Sequence, residues 1–196
     1  MIKKMVLEDA EYWDKPITLV DIDLSKAYDS TEKFAKDISL RRVGFPQEGL
    51  DLWQLYDNSR EMMIQTPFGY TDTISPECGA WGQGAEESPY GWLCLMAWMS
   101  QHIQNKSTHP YHYTVSDNKQ TRITKTIYAD DGNYVSRKRQ GAQSQIDGVC
   151  QFCTSSGTIL KPPKSFVYTK GEDNTAPLVA TTYTGNGKYE LGEPIT

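Results

Sequence analysis

The chain has 196 residues, with 20 Lys and Arg against 25 Asp and Glu and a net charge of −5, enough length for one ordinary domain with its own core. No apolar run approaches the ~20 residues of a membrane helix, and the opening MIKKMVLEDAEYW has no apolar stretch before its acids, which argues against a secretory leader. The acidic balance is the wrong sign for a protein whose whole surface grips nucleic acid, although basic residues gather at Arg41–Arg42, at SRKRQ (136–140) and at KPPK (161–164).

KPITLVDIDL (15–24) reads as a strand. Val20, Ile22 and Leu24 lie on one face, and Leu19, Asp21 and Asp23 on the other, which turns acidic at its C-terminal end. DSTEKFAKDISLRR (29–42) predicts a helix with Phe34 and Ile38 one turn apart, Asp29 as N-cap and Glu32 completing a capping box; Gly44 and Pro46 close it. QEGLDLWQLYDN (47–58) predicts a second helix with Leu50, Trp53 and Leu55 near one face. A hairpin follows, turning at Pro67-Phe68-Gly69.

From Ser88, a good N-cap followed by Pro89 at the first helical position, a third helix carries Trp92, Leu95, Met96 and Met99 at i, i+3, i+4 and i+7, a core stripe. Residues 105–118 predict a loop; its histidines, with His102, have no carboxylate spaced to complete a metal site. TRITKTIYADDGNYVS (121–136) predicts a hairpin tipped with Asp130 and Asp131. Neighbouring side chains of a regular strand point to opposite faces, so both acids can meet only at a turn, which the Asp131–Gly132 step suits. By itself such a tip is an ordinary solvated hairpin.

GAQSQIDGVCQFCTSSG (141–157) predicts a fourth helix ending at the C-cap Gly157. Its Cys150 and Cys153 form a lone CxxC, read as structural, and free thiols are expected throughout. TILKPPKSFVYT (158–169) is strand-like, and residues 171–196 form a polar, Gly-rich tail. The order β-α-α-ββ-α-ββ-α-β implies a single α+β domain over 1–196, with helices on one side of a small antiparallel sheet.

If the acid-tipped strands are sheet neighbours, three carboxylates converge. Like charges ~4 Å apart repel by ~4 kcal/mol at an effective dielectric near 20, so the cluster must take up protons or hold a divalent cation. All-oxygen ligation favours Mg²⁺, and two such ions can serve an in-line phosphoryl displacement.

The segments VDIDLSKAYDS (20–30), GAWGQGAEESPYGW (79–92), YADDG (128–132) and SGTILKPPKSFVY (156–168) resemble motifs A, B, C and D of reverse transcriptases. The likeness is closest to non-LTR (LINE-type) retrotransposons and group II intron enzymes, and the motifs run in the family's order over a core of about 5–170. The resemblance implies a polymerase palm with two Mg²⁺ ions (Mn²⁺ as a substitute), acting on an RNA template, a DNA primer and a dNTP. Asp23, Asp130 and Asp131 match the metal ligands, with the Leu24 carbonyl nearby. Tyr28 stands where the family puts an aromatic gate against a 2′-hydroxyl, more often Phe. Gln83-Gly84 matches the pair that touches nucleotide and template. Lys164 matches the lysine that protonates the pyrophosphate leaving group.

Asp21 and Asp29 are read as supporting and capping residues. Glu86 and Glu87 depart from the family's neutral or hydrophobic pair. The fingers and thumb, with their basic contacts, are expected elsewhere in a longer polyprotein that works in nucleus or cytoplasm. Three other readings remain: an RNA-dependent RNA polymerase palm, a non-catalytic nucleic-acid-binding module, and a retroelement remnant.

Overall fold

The structure is a computed structural model that describes residues 2–25, 27–75, 86–128, 131–171, 177–185 and 188–195. The chain opens with helix α1 (Ile2–Tyr12), strands β1 (Ile17–Ile22) and β2 (Leu24–Ser25), and helices α2 (Ala27–Ser30), α3 (Lys33–Arg42) and α4 (Gln47–Ser59). A short hairpin, β3 (Gln65–Thr66) and β4 (Gly69–Tyr70), precedes helix α5 (Ser88–Lys106). Two further hairpins follow, β5 (Tyr111–Ser116) with β6 (Lys119–Ile123) and β7 (Lys125–Tyr128) with β8 (Asp131–Ser136). The remaining elements are helix α6 (Arg139–Ser156), strand β9 (Ile159–Leu160), a 3₁₀ turn (Pro162–Lys164), strand β10 (Phe166–Lys170) and the hairpin β11 (Leu178–Gly185) with β12 (Lys188–Ile195).

The central sheet has the order β10-β1-β8-β7, every pair antiparallel. Ile17, Thr18, Leu19 and Val20 are all buried, the mark of a strand covered on both faces. On one face Val20, Ile22 and Tyr134 pack against Trp92, Leu95, Met99, Ile146 and Phe152 of α5 and α6. On the other, Ile17, Leu19 and Val135 pack against Val6 and Ala10 of α1 and Tyr111 of β5. The α+β class is as expected, but the second cover corrects the one-sided arrangement. Among the described residues no helix is long and apolar enough to cross a membrane.

Several local expectations are revised. On α3, Phe34 and Ile38 are exposed, and the inward face is Ala35, Lys36, Ser39 and Leu40. Lys36 can sit there because its Nζ lies 2.6 Å from Asp57 Oδ2 on α4 and 4.4 Å above the Trp53 ring. Asp29 lies in α2; the N-cap of α3 is Glu32, which makes no side-chain cap bond. On α4, Leu50 is buried but Leu55 is exposed. Ser88 is the first residue of α5 rather than its cap, which falls on Glu87.

The stretch expected as a loop at 105–118 contains β5, fastened by Tyr111, whose hydroxyl donates to Asp9 on α1. The tail is no loose end. Val179 and Gln143 of α6 exchange two hydrogen bonds of 2.9 and 3.0 Å, and Leu178, Ala180 and Ile195 enter the main core. Gly157 caps α6 at φ 77°, as expected, and a Cβ there would meet Glu32 Cγ at 2.5 Å and the Ser30 carbonyl oxygen at 2.8 Å. Cys150 and Cys153 are buried and free, and burial pushes the Cys153 thiol up to about 12.

Candidate active site

The site grows out of the pairing of β1 with β8. Asp21 stands opposite Asn133 and Ile22 opposite Gly132. Asp23 and Asp131 therefore arrive at the same end of the sheet, and both line an open cleft of about 520 Å³. Asp131 is exposed. Asp130, which the sequence places with them, lies outside the described residues.

The turn between β7 and β8 differs from the expected Asp-Gly turn. Tyr128 pairs with Asp131 and Ile127 with Gly132, so Asp131 and Gly132 belong to the strand. Gly132 is needed for a different reason. A Cβ there would lie 2.8 Å from both Cε2 and the hydroxyl oxygen of Tyr134, a ring with no exposed surface.

Asp23 is held by its backbone. Its N–H donates to Ser165 Oγ at 3.3 Å, and its carbonyl accepts from the Lys161 N–H at 3.0 Å. Ser165 Oγ also donates to the Lys161 carbonyl at 3.1 Å, and Leu24 pairs with Leu160. These ties dock the 3₁₀ turn beside Asp23, and Lys164 at its end lines the same cleft. Two prolines, Pro162 and Pro163, stiffen that turn by fixing φ.

The other candidate residues are distributed differently. Tyr28 is half-buried on α2, its ring centroid 5.3 Å from that of Trp92 at a 39° tilt, and it is not among the residues lining the cleft. The Leu24 side chain is in the main core. Gln83 and Gly84 lie outside the described residues. Of the expected set, Asp23, Asp131 and Lys164 come together.

Lys3 was not anticipated. It projects from α1 into the cleft and forms an ion pair with Asp21. No pattern signal marked it, because the segment before β1 was not read as a helix.

The donor set is compatible with a hard divalent cation. Asp23 and Asp131 line one cleft and carry the ligand type that suits Mg²⁺; among the described residues no group of three such side chains stands together to hold an ion. Asp21 Oδ1 is buried with no hydrogen-bond partner, and its Oδ2 pairs with Lys3.

Comparison with known proteins speaks to the family and the fold. The family model described as reverse transcriptase (RNA-dependent DNA polymerase) matches residues 4–185. Among solved structures, apo telomerase from Candida tropicalis, truncated from its C-terminal domain, is similar with TM-score 0.60 at 10% identity. That likeness covers 89% of this chain and 35% of the telomerase chain. Telomerase from Candida albicans, in complex with a fragment of telomeric RNA, is similar with TM-score 0.58 at 11% identity, covering 90% of this chain and 30% of that one. At such identities the likeness speaks for the fold, and the chain spans about a third of the length of these two. No curated protein sequence matches it.

Proposed function

The chain belongs to the reverse transcriptase (RNA-dependent DNA polymerase) family, and from that premise we propose that it carries the catalytic palm of an RNA-directed DNA polymerase from a retroelement. The observation that carries the reading is the meeting of Asp23, Asp131 and Lys164 in one cleft, three residues that lie far apart in the sequence. The retroelement assignment rests on the motif string itself, VDIDLSKAYDS to SGTILKPPKSFVY.

The reaction is nucleotidyl transfer from a dNTP to the 3′-hydroxyl of a DNA primer on an RNA template. The primer oxygen forms a bond to the α-phosphorus, the bond to the bridging oxygen breaks, and pyrophosphate leaves. Asp23, Asp130 and Asp131, with the Leu24 carbonyl, would hold two Mg²⁺ ions. When bound, these ions supply charge neutralisation at the phosphates and activation of the attacking oxygen. Lys164 gives a proton to the departing pyrophosphate, and its place on a stiffened turn limits how far its ammonium can stray. Tyr28 excludes a 2′-hydroxyl, and Gln83-Gly84 contacts nucleotide and template. Most of the acceleration in such chemistry is positioning and electrostatics.

The test is primer extension on an RNA template with dNTPs and Mg²⁺, comparing the native chain with Asp23→Asn and Asp131→Asn. Templated DNA product that falls about a hundredfold or more in each variant is the expected result. Terbium luminescence provides a second readout of the same acids, its signal lost in both variants. Extension indifferent to both substitutions, or lanthanide binding that survives them, would overturn the assignment. Incorporation of ribonucleotides in place of dNTPs would move the chain to RNA-dependent RNA synthesis.

A further inference from the structure

The buried residues of α1 are Val6, Asp9 and Ala10, and the exposed Lys3 lies one turn before Val6 on the same side of the helix, with Val6 and Ala10 at i+3 and i+7. The face of β1 that receives it is Ile17, Leu19 and Asp21, alternate residues of the strand. Over most of this contact, small or branched apolar groups meet apolar groups: Val6 and Ala10 pack with Ile17, Leu19 and Val135. At the last position both partners change character together, and Lys3 faces Asp21 where the cleft opens. An apolar pair would have served to dock the helix. A cation and an anion at this point put charge into the cleft itself.

The pair is not sealed. The Lys3 and Asp21 side chains keep 44% and 27% of their surface exposed, so their attraction is of the weak, exchangeable kind. The rest of α1 is anchored independently of it. Lys15 Nζ bonds Asp9 at 2.9 Å, the Thr114 N–H donates to Asp9 at 3.1 Å, and Lys170 Nζ donates to the Ala10 carbonyl at 2.9 Å. Lys3 is therefore carried by a helix that does not depend on it for docking.

Two ammonium groups thus enter the cleft from separate elements, Lys3 from α1 and Lys164 from the 3₁₀ turn, with Asp23 and Asp131 lining the same space. A lysine ammonium is a compact point charge suited to phosphate oxygens. We propose that Lys3 binds the polyphosphate of the incoming nucleotide, and that Asp21 is its positioning residue, holding the ammonium in the cleft until the phosphates arrive. This deepens the polymerase reading and rests on it: the ligand class is a triphosphate carried with a divalent cation.

The experiment uses inorganic tripolyphosphate with Mg²⁺ as the probe, titrated calorimetrically into the chain, alongside steady-state primer extension. Lys3→Ala weakens tripolyphosphate binding about tenfold, the scale of one charge-assisted hydrogen bond, and raises the KM for dNTP by a similar factor with kcat little changed. Lys3→Arg restores most of both, Asp21→Asn shifts them the same way by less, and Lys4→Ala, on an exposed lysine paired with Glu8, leaves them unchanged. The proposal is overturned if the native chain binds no tripolyphosphate, if Lys3→Ala binds it as well as the native chain, or if Lys3→Ala only lowers the melting temperature and Lys3→Arg fails to rescue. Lys3-dependent binding without Asp131-dependent extension would leave a polyphosphate site at Lys3 and remove the polymerase reading, and with it the assignment of that site to an incoming nucleotide. Asp131-dependent extension untouched by Lys3→Ala would do the reverse.

Discussion

Ile22 of β1 stands opposite Gly132 of β8, and this single pairing couples the acid-lined cleft to the core. Beyond it Asp23 and Asp131 reach the cleft, while beneath it the buried Tyr134 ring occupies the space a side chain at 132 would need. The strand can carry its acid to the cleft only because the residue next to that acid has no side chain.

Gly132→Ala should therefore act on both fold and site. The added methyl would press on Tyr134 at 2.8 Å, and overpacking of this kind costs about 1–3 kcal/mol. Urea denaturation should show a lower midpoint at unchanged slope, and primer extension should fall because Asp131 moves with the strand. Unchanged stability would mean that the Tyr134 ring yields without cost.

The Lys36–Asp57 pair gives a second stability prediction. The two side chains are only 1% and 6% exposed, and burial lowers the Lys36 pKa despite the carboxylate beside it. Asp57→Ala takes the carboxylate away from a buried ammonium and should cost about 3–5 kcal/mol, whereas Lys36→Met combined with Asp57→Leu should be close to neutral. A double-mutant cycle by chemical denaturation measures the coupling. Additive single effects would show that the pair does not hold α3 to α4.

These two cases mark where sequence reasoning stopped. The parity of β1 and the stripe on α5 were legible because Val20, Ile22, Trp92, Leu95 and Met99 repeat with the period of their elements. Asp23 and Lys164 were singled out by their motifs, and the structure places both in one cleft. Lys36 was not, since a lysine in a helix reads as solvated until its partner Asp57, on another helix, is known. Asp131–Gly132 read as a turn because Asp-Gly favours one locally, and only the Tyr134 ring explains why that glycine sits in a strand. The β5–β6 hairpin escaped notice because, of the residues in β5, only Tyr111 is buried, which leaves little alternation to detect. Helix α1 presents a stripe of one lysine, one valine and one alanine, too weak an apolar signal to announce that it roofs the sheet.

Asp9 predicts how that roof responds to acid. Burial alone would raise its carboxyl pKa, but hydrogen bonds from the Tyr111 hydroxyl, Lys15 and the Thr114 N–H outweigh burial and hold it below the ordinary value. A carboxylate depressed in the folded state binds fewer protons there than in the unfolded chain, so stability rises with pH across that interval. The contribution is complete above the unfolded value of about 3.9 and fades as pH falls through the lower folded value. Urea midpoints measured from neutral pH down to strong acid should decline over that window, and Asp9→Asn should flatten the decline while costing about 1–3 kcal/mol at neutral pH. An equally steep acid limb in the variant would assign the effect to other carboxylates.

Tyr28 separates a gate from a packing residue. Its ring lies 5.3 Å from Trp92, which is itself buried on α5, so the core fixes one side of the ring and leaves the other half-exposed. Tyr28→Val removes an aromatic contact worth about 0.5–1.5 kcal/mol, a loss that denaturation would register in either case. If the ring excludes a 2′-hydroxyl, the variant should also relax the dNTP over rNTP ratio of kcat/KM by about 10- to 100-fold while keeping DNA synthesis. Tyr28→Phe should keep the ratio near that of the native chain, because the hydroxyl is not the blocking group. A lower stability with an unchanged ratio would make Tyr28 a core aromatic and leave sugar selection to another residue.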